Sequence, residues 1–148
     1  MNIETYSDKY HDDVMTLVDN FYLEAIHYHN TGLDKEVLAR TVTNIGQAQG
    51  GNAYLLIVDD RCQGILAGIE IPNMINKKRI FQELVWYINE PFRRYGVALL
   101  KRVQEMLKAQ GFEMMIMGVL ENCKTEKIKR LYERMGFALF ESQYIRSL

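Results

Sequence analysis

Apolar residues recur three and four positions apart in two stretches of the first third of the chain, 14–25 and 37–45. This spacing places them on one face of a helix, so it predicts two amphipathic α-helices. Ser7 or Asp8 can cap the first helix and Asp34 the second, because short polar side chains accept hydrogen bonds from the free N–H groups of a first turn.

Other apolar runs predict strands. A weak alternation covers residues 2–6, and runs rich in β-branched and aromatic residues cover 54–58, 64–71 and 80–89. The tetrapeptide 59–62, which separates two of these runs, has the composition of a hairpin turn. The middle of the chain is therefore predicted to be a set of adjacent strands.

In the second half of the chain, segments with the helical spacing of apolar residues alternate with segments that have a strand pattern. A helix is predicted over 97–110, a strand over 112–119, a helix over 125–135, and a last strand from Phe137. Helical crossovers occur only in this half, which predicts a mixed α+β sheet: mostly antiparallel, with one parallel strand pair and about four flanking helices. The eleven residues from Ala138 leave room for a single long strand, or for a sheet that a partner chain completes.

Composition narrows the function classes. The 148 residues are expected to form one domain, 1–148, and their net charge of −1 lacks the basic excess of a protein that holds nucleic acid through phosphates. A mean hydropathy of −0.20 and the absence of a long apolar run argue against a membrane span. The start does not have the pattern of a signal peptide, and Cys62 and Cys123 lack CxxC spacing, so a reduced cytoplasmic protein is expected.

The segment Arg93-Arg94-Tyr95-Gly96-Val97-Ala98 fits the pattern R/Q-x-x-G-x-G/A at a strand-to-helix junction. The N–H groups and the positive dipole end of a helix start bind anions, and a glycine lets the backbone approach a ligand. The same residues also fit an ordinary turn with two solvated arginines. Cations at a helix start oppose the dipole, which favours the anion site.

A second motif lies downstream, Leu131-Tyr132-Glu133-Arg134-Met135-Gly136-Phe137, with glycine placed to end a helix. Together the two motifs resemble those of the GNAT superfamily of acyl-CoA-dependent N-acetyltransferases, and the order of elements fits most of the chain. The resemblance implies a GNAT-like fold with a splayed parallel strand pair. It also implies acetyl-CoA as cosubstrate and a primary amine, on a small molecule or a protein, as acceptor.

The resemblance also implies roles for individual residues. The backbone from Arg93 to Ala98 would hold the pyrophosphate, and the strand at Trp86, Tyr87 and Ile88 would pair with the pantetheine arm. Tyr132 occupies the position of the tyrosine that protonates the leaving thiolate. Thr125 replaces the asparagine that often binds the cofactor in the family.

Glu83 stands where some members of the family carry a general base. A strand-end carboxylate is as often simply solvated, so both interpretations stay open. Period two would place Glu83, Val85 and Tyr87 on one strand face. No metal is implied, because the i, i+2 spacing of His27 and His29 does not put them on one helix face.

Two other functions compete with an acetyltransferase. A catalytically inactive acyl-CoA-binding module, or a regulator of a protein partner, would keep residues 93–98 without needing Glu83 or Tyr132. An acetyltransferase toxin acting on charged tRNA is disfavoured by the near-neutral charge. The sequence leaves the acceptor amine open, as it does the choice between monomer and homodimer.

Overall fold

The structure is a computed structural model that describes residues 1–26, 32, 34–48, 52–121, 124–146 and 148. His27, His29 and Cys123 lie outside these residues.

Five strands form one mixed sheet in chain order. They are β1 (Asn2–Thr5), β2 (Ala53–Val58), β3 (Arg61–Ile71), β4 (Ile80–Ile88) and β5 (Met114–Ile116). The first four are antiparallel neighbours, and β5 runs parallel to β4. This arrangement confirms the predicted mixed sheet with one parallel pair.

Four α-helices flank the sheet in the described part of the chain. They are α1 (His11–Phe21), α2 (Lys35–Gln47), α3 (Gly96–Ala109) and α4 (Thr125–Arg134). A short 3-10 turn precedes α1 and another precedes α3, and α1 continues into a π-helical turn, Tyr22–Ile26. The Asp34 cap is confirmed by bonds from the N–H groups of Glu36 and Val37 at 3.0 and 3.1 Å, whereas the Ser7 side chain makes no capping bond.

The core has two layers, one on each face of the sheet. Leu17 of α1 and Val42 of α2 pack with Leu55 and Ile65 on one face. Helices α3 and α4 pack on the other face, where the buried cluster includes Leu56, Phe81, Leu99, Leu100 and Tyr132. Strands β2 to β4 contribute apolar side chains to both layers. Because both faces of these strands are buried, their sequences are continuous apolar runs without a clear alternation of apolar and polar residues.

The predicted hairpin forms with a tighter turn than expected. Asp59 and Asp60 have φ angles of 51° and 57°, and Val58 pairs directly with Arg61. Positive φ at both central residues defines a type I′ turn, whose twist matches that of the flanking strands. Arg61 and Cys62, predicted as turn residues, therefore belong to β3.

A β-bulge at Leu84 overturns the prediction that Glu83, Val85 and Tyr87 share a face. Glu83 pairs with Gly68 and Val85 with the next residue, Ala67, so Leu84 has no partner in the register. The extra residue reverses the alternation. Val85 and Tyr87 consequently face α1, whereas Glu83 lies on the face that carries α3 and α4.

Gly68 opposes the bulge, where the backbones come unusually close. A Cβ atom at this position would lie 2.1 Å from the Gln82 carbonyl oxygen and 2.6 Å from the Phe81 ring. Gly68→Ala is therefore expected to lower the free energy of unfolding by about 3 kcal/mol, as overpacking against backbone does. Chemical denaturation of the variant would measure this loss.

Gly96→Ala is the matched control. A Cβ there would meet Ile88 at 3.4 Å, an ordinary contact, on a backbone that is already helical. The stability of this variant should equal or slightly exceed that of the wild type. Equal stability of the two variants would show that the bulge does not require Gly68.

The predicted last strand from Phe137 is wrong. Residues 137–146 form no strand, and Leu139, Phe140, Tyr144 and Ile145 are largely exposed. The preceding strand, predicted over 112–119, is only Met114–Ile116. A run of suitable residues forms a strand only where a neighbour accepts its hydrogen bonds, and no described strand pairs with the outer edge of β5.

Candidate active site

Strands β4 and β5 part to form a wedge. Their parallel pairing covers three residue pairs and ends at Gln82 and Ile116, while β4 continues to Ile88. Beyond Gln82 this edge of β4 has no strand partner among the described residues. Apart from the Ile88 carbonyl, which accepts a bond from Arg93 Nε, its backbone groups can pair with an extended ligand, as in strand addition.

Glu83 and Tyr132, the two predicted catalytic residues, meet at one residue inside the wedge. The Gly118 N–H donates to Glu83 Oε2 at 2.9 Å. The Tyr132 hydroxyl donates to the Gly118 carbonyl at 3.0 Å. Gly118 lies in the segment that follows β5. This segment therefore connects the carboxyl group of Glu83 on β4 to the phenol of Tyr132 on α4.

Burial changes the acidity of both groups. Loss of solvent raises the pKa of Glu83 to about 7, although the hydrogen bond from Gly118 opposes the shift. Burial, and then the nearby charge of Glu83, raise the pKa of Tyr132 well above its usual range. The carboxyl can therefore gain or lose a proton near neutral pH, whereas the phenol keeps its proton.

Trp86 lines the same face of β4. Its ring stacks on Tyr132 with centroids 5.9 Å apart and an interplanar angle of 22°. Its indole Nε1 is buried and has no hydrogen-bond partner among the described residues. A buried donor without a partner is uncommon, because its desolvation is uncompensated. The indole edge thus offers a hydrogen bond between β4 and the start of α3.

The start of α3 keeps the features of an anion site. Its cap residue, Tyr95, makes no side-chain bond to the first turn, and that turn holds no acidic residue. The Gly96 N–H donates to the Arg93 carbonyl of the preceding 3-10 turn, so this end attracts an anion mainly through the positive end of the helix dipole. Gly96 has an ordinary helical φ of −59°, and a Cβ would face Ile88 and Trp86. Neither the backbone conformation nor the packing of the helix on β4 therefore requires a glycine at this position.

The two arginines of the motif differ in their contacts. Arg93 turns toward α1, where its Nη2 lies 2.8 and 2.6 Å from the carboxylate oxygens of Glu24 and its Nε lies 3.2 Å from the Ile88 carbonyl oxygen. Arg94 is exposed and lies over the Tyr95 ring. The guanidinium of Arg93 is thus directed to Glu24.

The other predicted cofactor residues are spread around the wedge. Tyr87 points to the α1 face, where its hydroxyl donates to Glu24 at 3.0 Å. Ile88 is buried on the opposite face. Thr125 begins α4 and is buried, with its hydroxyl donating to the Leu120 carbonyl at 2.9 Å. Its hydroxyl therefore links the start of α4 to Leu120.

Three residues of the site lie outside the two sequence motifs. Gly118 joins Glu83 to Tyr132, and Glu24 contacts both Arg93 and Lys124. A glycine inside a predicted strand is a signal of close backbone approach and could have identified Gly118. Glu24 and Lys124 are far apart in sequence and carry no comparable signal.

Two classes of site find no support in the described residues. No three histidine, cysteine or carboxylate side chains among them come together as metal ligands. Nor do the described helices include one that is long and apolar enough to cross a membrane.

Comparisons with known proteins identify the fold. No protein-family model matches the chain, and no curated sequence matches it. Among solved structures, it is similar to a ribosomal-protein-alanine N-acetyltransferase from Brucella melitensis biovar Abortus 2308, with a TM-score of 0.75 at 15% identity over 99% of this chain and 98% of that one.

Two further structures match over comparable lengths. The aminoglycoside N-acetyltransferase AAC(6')-Iy, in complex with CoA, has a TM-score of 0.74 at 14% identity, covering 99% of this chain and 93% of that one. A transcriptional regulator from Bacillus halodurans C-125 has a TM-score of 0.77 at 12% identity, covering 99% of both chains. Each of these matches covers 99% of this chain, and the chain therefore has the GNAT fold.

Proposed function

We propose that this protein is an N-acetyltransferase that moves an acetyl group from acetyl-CoA to a primary amine by direct transfer. The observation that carries the proposal is the meeting of Glu83 and Tyr132 on Gly118, beside the open edge of β4. An inactive acyl-CoA-binding module would need the open edge. It would not need an ionisable carboxyl and a protonated phenol converging on it.

The wedge fits an acyl-CoA in three respects. The uncapped start of α3 suits the pyrophosphate, and the edge of β4 from Glu83 to Ile88 suits the amide groups of an extended pantetheine arm. Trp86, on the same strand, has a buried N–H without a partner among the described residues, a donor that a carbonyl oxygen of that arm would satisfy. When bound, acetyl-CoA supplies an activated thioester.

Proton transfers can be assigned to the chain's own groups. The amine nitrogen forms a bond to the acetyl carbon as the carbon–sulfur bond breaks. Glu83 accepts the proton that the amine loses, directly or through a water molecule. Tyr132 gives its proton to the departing thiolate. A carboxyl with a pKa of about 7 is matched to the first task, and a phenol whose pKa is raised still carries the proton that the second task requires.

Release of free thiol from acetyl-CoA across a panel of amines tests this function. Amine-dependent release is expected, with the acetylated amine detected by mass spectrometry. Binding of CoA without turnover on any amine would instead support the inactive binding module.

The anion site at α3 makes a separate prediction. Ala98→Glu is expected to weaken CoA binding at least tenfold by calorimetry, because a carboxylate in the third helical position folds back on the N–H groups that would bind phosphate and repels it. The fold should be unaffected, since an acidic first turn stabilises a helix.

Ala109→Glu is its matched control. It introduces the same charge in the last turn of the same helix, where the residue is exposed. CoA affinity should stay at the wild-type value in this variant. A similar loss in both variants would point to net charge rather than to a phosphate site at the start of α3.

A further inference from the structure

Glu24 lies at the centre of a cluster that the catalytic proposal does not use. It sits in the π-helical turn that extends α1, an irregularity that is frequent at functional sites. Its carboxylate accepts hydrogen bonds from the Tyr87 hydroxyl, the Arg93 guanidinium and the Lys124 ammonium. The three donors come from β4, from the turn before α3 and from the residue that precedes α4.

The cluster bridges the open end of the wedge on the α1 face. Arg93 stands three residues before α3 and Lys124 immediately before α4, so Glu24 holds together the starts of the two helices that flank the wedge. About a third of each of the Glu24 and Arg93 side chains is exposed, and 40% of Lys124. A small molecule approaching along α1 would therefore meet this carboxylate at the entrance.

Glu24 stays ionised in this setting. Burial acts to raise the pKa of its carboxyl, but the hydrogen bonds from Lys124 and Tyr87 and the charge of Arg93 outweigh it and lower the pKa below its ordinary value. The carboxylate is thus a permanent negative charge at neutral pH.

The two cations are held differently. Arg93 is fixed by Glu24, by the Ile88 carbonyl and by the face of the Tyr87 ring, 5.9 Å away. Lys124 brings a primary ammonium to Oε1 of Glu24 at the end of a flexible side chain. An ammonium group of a ligand has the same charge and the same three donors, so it can take the place of Lys124.

We propose that Glu24 binds a second ammonium group of the acceptor, in the position that the Lys124 ammonium occupies in this structure. The acceptor is then a small molecule with at least two amines, one held at Glu24 and the other presented to Glu83. This inference rests on the proposed acetyltransferase function. Tyr87, which touches Glu24, lies four residues beyond Glu83, at most about 13 Å along the strand and on the opposite face of β4. A diamine must therefore pass through the wedge, beyond the paired part of β4 and β5, to reach both carboxyl groups.

The experiment compares diamines with monoamines of the same length. Steady-state kinetics would use the series from 1,3-diaminopropane to 1,8-diaminooctane, with the corresponding 1-aminoalkanes. The wild type is expected to prefer the best diamine through a lower KM, by about 10- to 100-fold, the usual effect of a hydrogen bond to a charged group. Glu24→Gln should abolish that preference, because it should raise the KM for the best diamine at least tenfold more than the KM for the matching monoamine.

Lys124→Met should strengthen the binding of the diamine, whereas Glu24→Gln weakens it. It removes the internal competitor for Glu24, so the KM for the best diamine is expected to fall. Glu70→Gln is the matched control, because Glu70 pairs with Arg79 on the exposed surface and loses the same charge. This variant should keep the diamine preference of the wild type.

Calorimetry separates this inference from the proposed function. The best diamine would be titrated into the CoA-bound protein, and into the free protein if CoA does not bind. Weaker binding to Glu24→Gln by at least about tenfold supports the ammonium site even if no amine is acetylated. Equal diamine affinity in the wild type and Glu24→Gln, or equal loss for diamines and monoamines in the kinetics, overturns it.

Discussion

Tyr132→Phe is expected to lower kcat about 100-fold or more while the affinity for CoA stays unchanged. The substitution keeps the ring that stacks on Trp86 and packs against Phe137, and removes only the hydroxyl. The departing thiolate would then lack the proton donor that we propose for it. Steady-state kinetics and CoA calorimetry on the same preparation would measure the two quantities.

The lost hydroxyl also bonds to the Gly118 carbonyl, so stability must be measured as well. A loss of about 1 kcal/mol is expected. Tyr54→Phe is the matched control, since Tyr54 is fully buried and its hydroxyl accepts a bond from Gln110 at 3.2 Å, away from the wedge. A kcat for Tyr132→Phe within twofold of the wild-type value would remove Tyr132 from the proposed mechanism.

Glu83→Gln is expected to lower kcat/KM by about 100-fold at neutral pH and by progressively less as the pH nears the pKa of the amine, about 10.4 for a lysine-type amine. In the wild type, kcat/KM should rise through about pH 7 as Glu83 loses its proton. The glutamine side chain can still accept the Gly118 N–H, which keeps the local geometry. Parallel pH–rate profiles for the two proteins would contradict the role of a base.

Although Glu83→Gln should lower activity, it should raise the stability of the fold above neutral pH. Because the pKa of Glu83 is higher in the folded chain than in the unfolded one, its contribution to stability is complete below about pH 4.5 and is lost as the pH rises through about 7. Glu83→Gln avoids that loss, so its free energy of unfolding at pH 8 should exceed that of the wild type by roughly 3 kcal/mol. At pH 4 the two proteins should be equally stable.

If both results are obtained, the carboxyl group of Glu83 lowers the stability of the fold at pH 8 and is required for activity. A carboxyl that the fold would hold more easily as an amide is kept where it can exchange a proton near neutral pH. A purely structural glutamate would show the stability gain without the loss of activity.

The sequence by itself determined the local elements, because each depends on neighbouring residues. The periodic stripe and the Asp34 carboxylate are sufficient for α2, and the Asp59-Asp60 pair is sufficient for the hairpin turn. The order of these elements was enough to predict the mixed sheet with its parallel pair, and the two glycine-containing motifs located the start of α3 and Tyr132 on α4.

Only the tertiary structure decided how those elements form a site. The bulge at Leu84 arises from the pairing of β4 with β3, and it turns Glu83 toward Tyr132. Arg93 bonds to Glu24, which is 69 positions away in sequence. The last predicted strand fails to form because the described chain offers it no partner edge. Strand register, splay and ion pairing depend on groups that are distant in sequence, whereas hydrophobic periodicity records only which side of each element is buried.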